Sequence, residues 1–590
     1  MNAQETLPES VLFVAYEASQ IKLFICIGKS LRLNTSYVPI LYCPYALPGA
    51  ELYRECCYRA GIEYLQGHTP FGGRTDLVSD VTRLAIRYSQ PVARIVPVPR
   101  KEVAEWVKKA PGYPRFSDFV QKESQLRQVR YRIQEVLRKW SCVPDAKLRR
   151  QVLQEFSFWL ETYGMELSIA RLLIDQLRVT VIVLAEHIAE RDSIVWLRVA
   201  AERGIAVTVI AQHLADRRGT VGTYSSRIEY SLEHPANQDL TKLFPHWRLA
   251  EYGNRLMRVP APQALAQEWW GIAMTRPWVV NSEPLRSVWV ESDFLAESYM
   301  LEGVRGSYLS TVGSPHLDQL AQITKPQTYA EKSEVWEQLE IDRRKPLLLC
   351  ALPANLYPDR RGWECATYRE LVDRWLQSLR KVKNLSVLVA LHPSAGGELE
   401  AQVKNWQIPY IHGASPDVLP HASVYVACIS SMISWALACG IPVVNCDAYG
   451  LEYGIFQKAH GVWTVRTCYE FEQALSELDV YFTINESKRD STKFAQLQKA
   501  ARQHAPYFGR LDGLSMERII AGICELARRK IPVPAKWGYS QQEMRDCSAL
   551  LRWLREAAEG DSPATSRYNG VIQTDPTNGR ANHLRASVDR

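Results

Sequence analysis

Short apolar runs rich in Val, Ile and Leu alternate along this chain with amphipathic segments of helical length. That order constrains the fold more than any other feature. Parallel strands need crossovers of a dozen or more residues, so repeated strand–helix–strand units predict parallel sheets covered by helices on both faces. Two such series are present. The first opens with VLFVAY at residues 11–16, passes through a helix ending near Leu31, and continues with YVPILY at 37–42. It resumes with VTVIVLA at 179–185, returns through 204–210, and reaches a strand ending at Val312, just before Gly313, Ser314 and Pro315. The second comprises PLLLCAL at 346–352, SVLVAL at 386–391, and the runs at 409–412, 424–429 and 442–446, which makes five short strands.

The boundaries follow from composition. Residues 1–325 read as an N-terminal Rossmann-like domain, interrupted at about 71–165 by a Pro-containing stretch and the charged block KESQLRQVRYRIQEVLRKW, a helical insertion with a solvated face. A polar segment near 323–345 separates it from a C-terminal Rossmann-like domain at 340–530. A helix at 531–560 follows, and the tail at 561–590 has too little apolar content to fold. The expected fold is α/β, with two Rossmann-type domains facing a cleft where strand carboxyl ends meet, the usual place for a ligand.

The 590 residues are 46% hydrophobic and 23% charged, which excludes collagenous, coiled-coil and wholly disordered readings. Lys and Arg exceed Asp and Glu by seven, too few for a nucleic-acid footprint on this surface, but suited to an anionic substrate or to peripheral association with the inner membrane face. Thirteen cysteines include no C-x-x-C pair, so a reduced compartment fits better than a disulfide framework, and the neighbours Cys56 and Cys57 would point different ways on a helix. The N-terminus lacks a basic and then apolar leader, and no apolar run approaches the ~18 residues of a span. A cytoplasmic protein is expected, peripheral at most on the cytoplasmic membrane face.

The chemistry concentrates at two strand ends of the second series. His392 and Pro393 follow SVLVAL, and Ser430 and Ser431 stand between VYVACI and the helix-like MISWALACG. A helix opening at the serines would offer unpaired N–H groups, a positive dipole end and two hydroxyls to a phosphate. Each feature alone has an ordinary explanation, as a helix cap or a strand-end residue. No D-x-D carboxylate pair and no zinc-like spacing occur, so no metal is expected.

The run HPSAGG…IPYIHG…VYVACISSMISWALACGIPVVNCD resembles the nucleotide-sugar half of GT-B glycosyltransferases. The likeness is to bacterial capsule, Kdo and sialic acid transferases and the related CDP-glycerol glycerophosphotransferases. In the first half, VIVLAEH, RDSIVWLRVAAERGIAVTVIAQHL and SVWVESDFLAESYMLEG…TVGSPHLDQL are similar to the same families, so the resemblance spans roughly residues 10–475 without the insertion. It implies a GT-B-like architecture with residues 1–325 as the acceptor domain and 340–530 as the nucleotide-donor domain, in which His392, Pro393, Ser430 and Ser431 bind the donor nucleotide.

Three departures stand out. Leu214 follows Gln212 and His213 where the family has Gly. Trp435 stands near where many members place a ribose-binding Glu, with Glu452 the nearest substitute carboxylate. The loop after PLLLCAL reads PANLYPDRRGW, in which Arg360 or Arg361 could clamp a phosphate. His213 is the first choice for the acceptor base, with Glu186 and Glu17 at neighbouring strand ends as alternatives. The implied activity is metal-independent transfer of a sugar from a CMP- or other nucleotide-activated donor to a capsular or surface polysaccharide, or to a lipid-linked glycan, with no cofactor and no nucleic-acid partner. The alternatives are a CDP-polyol phosphotransferase, an enzyme like UDP-N-acetylglucosamine 2-epimerase, and a non-catalytic GT-B protein that binds glycan or serves as a scaffold.

Overall fold

The computed structural model describes residues 5–559, apart from 7, 46, 48, 68–76, 91, 94–98, 110–122, 192, 212–213, 215, 226, 250–254, 284–286, 325–340, 343, 357–363, 393–394, 414, 452–453, 458, 484–489 and 530–540. Two parallel sheets carry the fold. The first contains β1 (Ser10–Val14), β2 (Val38–Cys43), β3 (Glu63–Gln66), β4 (Val179–Leu184), β5 (Ala206–Ile210), β6 (Ser287–Val290) and β7 (Leu309–Thr311), in the order β7-β6-β5-β4-β1-β2-β3. The second contains β8 (Leu347–Ala351), β9 (Ser386–Leu391), β10 (Tyr410–His412), β11 (Val424–Ala427), β12 (Val443–Cys446) and β13 (Val462–Val465), in the order β10-β9-β8-β11-β12-β13. Both orders are doubly wound. The direction of travel reverses between β1 and β4 in the first sheet and between β8 and β11 in the second, and a crevice opens at each reversal.

Alternation within the strands explains the layers. Leu12 and Val14 join one core and Val11 and Phe13 another, as do Ile182 and Leu184 against Val181 and Val183. In the second sheet Leu348 and Cys350 face one core, Leu347 and Leu349 the other. With apolar side chains on both faces, each strand must be covered twice, which a sheet with helices on both sides achieves.

The second sheet holds six strands where the sequence predicts five, because β13 closes its edge. The first sheet likewise gains β3 at its edge and β6 inside. Helix α1 (Ala18–Asn34) follows β1, and among the described residues the region read as an insertion carries α2 (Leu77–Arg87), α3 (Lys101–Lys109), α4 (Glu123–Ser141) and α5 (Ala146–Gln176). Its last helix runs past residue 165 and is the crossover that delivers the chain to β4. Asp145 starts α5 by accepting from the N–H groups of Lys147 and Leu148 at 2.9 and 3.1 Å. Its buried stripe packs on α6 (Ala261–Trp270).

The end of the chain returns to the first sheet. After α7 (Asp293–Leu301), α8 (Pro315–Ile323), α9 (Met432–Ala438) and α10 (Lys493–Phe508), helix α11 (Ser515–Arg528) places Ile519, Ile520 and Ile523 in the core of Phe13 and Val183. Helix α12 (Gln541–Glu559) adds Leu550 and Leu554 to the core of Leu160 and Leu167. The Asp318 carboxylate on α8 accepts from the N–H groups of Ser515 and Met516 at 2.9 and 2.7 Å, which fixes the start of α11. Gly313 permits that approach, because its φ of +86° and its contact with the Ser515 side chain leave no room for a Cβ. The tail at 561–590 lies outside the described residues. Among those residues all thirteen cysteines are free thiols, and no helix is long and apolar enough to cross a membrane.

One buried carboxyl sets a pH dependence. Glu166 on α5 is 1% exposed and accepts from the Tyr42 hydroxyl at 3.2 Å. Burial pushes its pKa from 4.5 up to about 8, against the smaller opposing effect of the Tyr42 bond. A folded-state value above the unfolded one means that this stability is fully present below the unfolded value and is lost as pH rises through the folded one. Glu166→Gln should therefore flatten the decline in stability between acid and mildly alkaline pH, an effect of up to ~5 kcal/mol. Urea unfolding of both proteins at pH 5 and pH 8.5 checks this, and parallel slopes would contradict it.

Candidate functional site

The reversal in the second sheet is built around an unusual turn. Ile429, after β11, has φ +45°, a left-handed conformation that a β-branched residue rarely adopts. Its N–H donates to Asn445 Oδ1 on β12 at 3.0 Å, so the buried Asn445 holds the strained residue in place. Such strain persists only where neighbours over-determine it, and it concentrates at functional turns. Here it presents Ser430 and Ser431 at the carboxyl end of β11. Ser431 is exposed and makes no capping bond with its side chain.

The helix start differs from the sequence expectation. The N–H of Met432 already donates to Ser430 Oγ at 3.2 Å, that of Ile433 to the Ser430 carbonyl at 3.0 Å, and that of Ser434 to the Ser431 carbonyl at 3.2 Å. The tight seven-residue helix satisfies its own first donors, so the hydroxyls carry more of any anion contact than the dipole does.

His392 is exposed at the end of β9, with its carbonyl accepting from Ala395 at 2.8 Å. Strands β9 and β11 flank β8, so the two predicted donor elements stand about 10 Å apart across one strand. The first turn after β8 is pinned between them. Tyr449 Oη donates to the Ala354 carbonyl at 2.6 Å and Tyr368 Oη to that of Pro353 at 2.8 Å. Pro393, Arg360, Arg361, Glu452 and His213 lie outside the described residues.

The reversal in the first sheet brings Glu17 and Glu186 together through a residue the sequence reading missed. Arg191 pairs with Glu17 and, through Nε at 3.4 Å, with Glu186. Gln20 donates to Glu186 at 3.2 Å and accepts from the Tyr16 N–H at 2.7 Å. The adjacent His187 is wholly buried beside Ser193 Oγ at 3.2 Å, and burial pushes its pKa down to about 3, so it remains neutral.

The halves meet through Trp435. Its Nε1 donates to Glu291 Oε2 at 3.1 Å, and the His316 ring stacks on it at 4.5 Å and 24°. Glu291 directly follows β6 and is also bonded by Ser314. Burial pushes its pKa above the usual carboxylate range against those two bonds, and burial pushes His316 below the usual imidazole value. Leu214 packs on cores from both halves. Two of the departures read from sequence, Leu214 and Trp435, are thus joints between the sheets. Beside them lies a cavity of about 750 Å³, with Asp216, Glu297 and Glu302 from the first half and His460, His504 and Tyr507 from the second.

The rule that found Glu17 and Glu186, a carboxylate just past an apolar strand, also finds Glu291 once SVWV is read as a strand. Arg191, Asn445 and His316 carried no comparable signal. Asn445→Ala would leave the Ile429 N–H unpaired in a partly buried turn and should cost about 1–3 kcal/mol. Chemical denaturation checks this, and a change within error would show that Asn445 does not hold the turn.

No protein-family model matches this chain, and no curated protein matches it. Similar solved structures include a glycosyltransferase from Rickettsia africae, at 9% identity over 89% of this chain and 100% of that one, with a TM-score of 0.41. A putative UDP-N-acetylglucosamine 2-epimerase from Listeria monocytogenes shows 11% identity over 90% and 100%, with a TM-score of 0.44. Anabaena HepE, solved with UDP and glucose, shows 10% identity over 88% and 99%, with a TM-score of 0.40.

Proposed function

We propose that this protein is a GT-B-like glycosyltransferase that binds a nucleotide-activated sugar at the β8/β11 reversal and transfers the sugar to a glycan lying against the first sheet. The observation that carries this reading is the strained Ile429 turn, which presents Ser430 and Ser431 at the crevice where doubly wound sheets take ligands. In this reading His392 and Ser431 contact the donor phosphate and Ser430 shapes the turn. Pro393, Arg360, Arg361 and Glu452 complete the donor side by resemblance. His213 is the acceptor base or an essential acceptor contact, with Glu186 and Glu17 behind it. A capsular or lipid-linked acceptor, a cytidine donor, chelator-insensitive turnover and work at the inner membrane face belong to the same proposal.

A second reading has specific support. Nucleotide-sugar epimerisation needs several cleft carboxylates, and Glu17, Glu186 and Glu291 all stand at strand ends of the first half. Rearrangement of a nucleotide sugar without acceptor would favour it, whereas binding without turnover would favour a non-catalytic protein.

Calorimetry against CMP, CDP, UDP and GDP tests the donor site. At least one should bind. His392→Ala and Ser431→Ala should each cost about 1.5–3 kcal/mol, or about 10- to 150-fold in affinity, if each removes a charge-assisted hydrogen bond. Unchanged affinity in both variants would move the site elsewhere.

A further inference from the structure

Sugar transfer needs a group that takes the proton of the acceptor hydroxyl. Three carboxylates stand just past strands of the first sheet, and their surroundings differ. Glu17 and Glu186 are both engaged in ion pairs with the Arg191 guanidinium. Among the described residues Glu291 is held by the neutral donors Trp435 and Ser314, and no Lys, Arg or His lies within ion-pairing distance of it. His316, the titratable group nearest on α8, is stacked on Trp435 and kept neutral by burial. Asp293, on the helix that Glu291 leads into, is taken up by Thr311 at 2.7 Å and Arg510 at 3.8 Å. Asp318 is spent on the start of α11.

Position adds to this. Trp435 is four residues after Ser431, one helical turn further along the same face, so the Glu291 carboxylate reaches from the first half to the turn that presents the serines. We propose that Glu291 is the proton acceptor of the transfer, aimed across the cleft by Trp435 and Ser314, with His213 left as an acceptor contact. In the step, the acceptor oxygen forms its bond to the anomeric carbon as its proton passes to the Glu291 carboxylate. The bond from that carbon to the phosphate oxygen breaks, its electron pair leaves with the nucleotide, and the carboxyl returns the proton to water. Burial raises the proton affinity of this carboxylate, in the direction a base requires. The inference rests on the transferase reading.

Glu291→Gln keeps the size of the side chain and an oxygen for Trp435. It should leave nucleotide affinity unchanged by calorimetry and lower turnover about 10²- to 10⁴-fold. Trp435→Phe removes a bond that favours the ionised form, so the acid limb of kcat/KM should move to higher pH. The indole N–H resonance of ¹⁵N-tryptophan-labelled protein that Trp435→Phe abolishes should titrate with a midpoint above the ordinary ~4.3 of a glutamate and stay flat in Glu291→Gln. Nucleotide binding with turnover intact in Glu291→Gln, or a midpoint at or below the ordinary value, would overturn the base role alone. Absence of any nucleotide binding by the wild-type protein would overturn the transferase reading and the base role with it.

Discussion

Parallel strand pairing is the constraint on which the rest of this molecule depends. All seven strands of the first sheet and all six of the second run parallel, so every strand in a sheet ends at the same edge and every connection must cross a face. The crossovers supply the helices that bury both faces. The shared edges collect the chain's loose polar ends, namely Glu17, Glu186 and Glu291 in one sheet and His392 and Ser430–Ser431 in the other. The fold therefore concentrates polar chemistry along two lines without any residue being selected for it. Reversal of strand order then marks one crevice on each line.

What brings the two lines together is the joint between the halves. Phe294 of the first half packs on Phe456 and Phe508 of the second, with ring centroids 6.1 and 4.8 Å apart, so the halves share an apolar core. Asp318 fixes the start of α11, which carries the chain back under the first sheet. The contact of Trp435 with Glu291 and His316 lies beside this core and brings the serine turn against the end of β6. Polar groups at such a joint lie between two packed bodies. That is why burial shifts Glu291 upward and His316 downward.

Much of this was legible in the sequence for a physical reason. Interior strands of a parallel sheet are apolar on both faces, so VLFVAY, VTVIVLA and SVLVAL stand out as continuous runs. The edge strands β3 and β13, EYLQ and VWTV, are short and only partly buried, and the interior β6, SVWV, spans only four residues, so none of the three stands out as a run. Strand-end carboxylates and the paired serines could be found because their meaning is local. Arg191 reaching Glu17, Asn445 holding Ile429, and Trp435 reaching Glu291 depend on pairings between residues 16 to 174 positions apart, which no local pattern encodes. Leu214 and Trp435 depart from the pattern of the families the sequence resembles. In the folded chain they fill the joint.

The central claim is that the nucleotide lies at the reversal of the second sheet. Amide hydrogen exchange with and without a saturating nucleotide from the panel that binds tests it most directly. The account predicts slowed exchange in residues 352–356 and 428–434, with residues 185–191 unchanged. Protection confined to residues 185–191 at the reversal of the first sheet, with 428–434 unaffected, would contradict it.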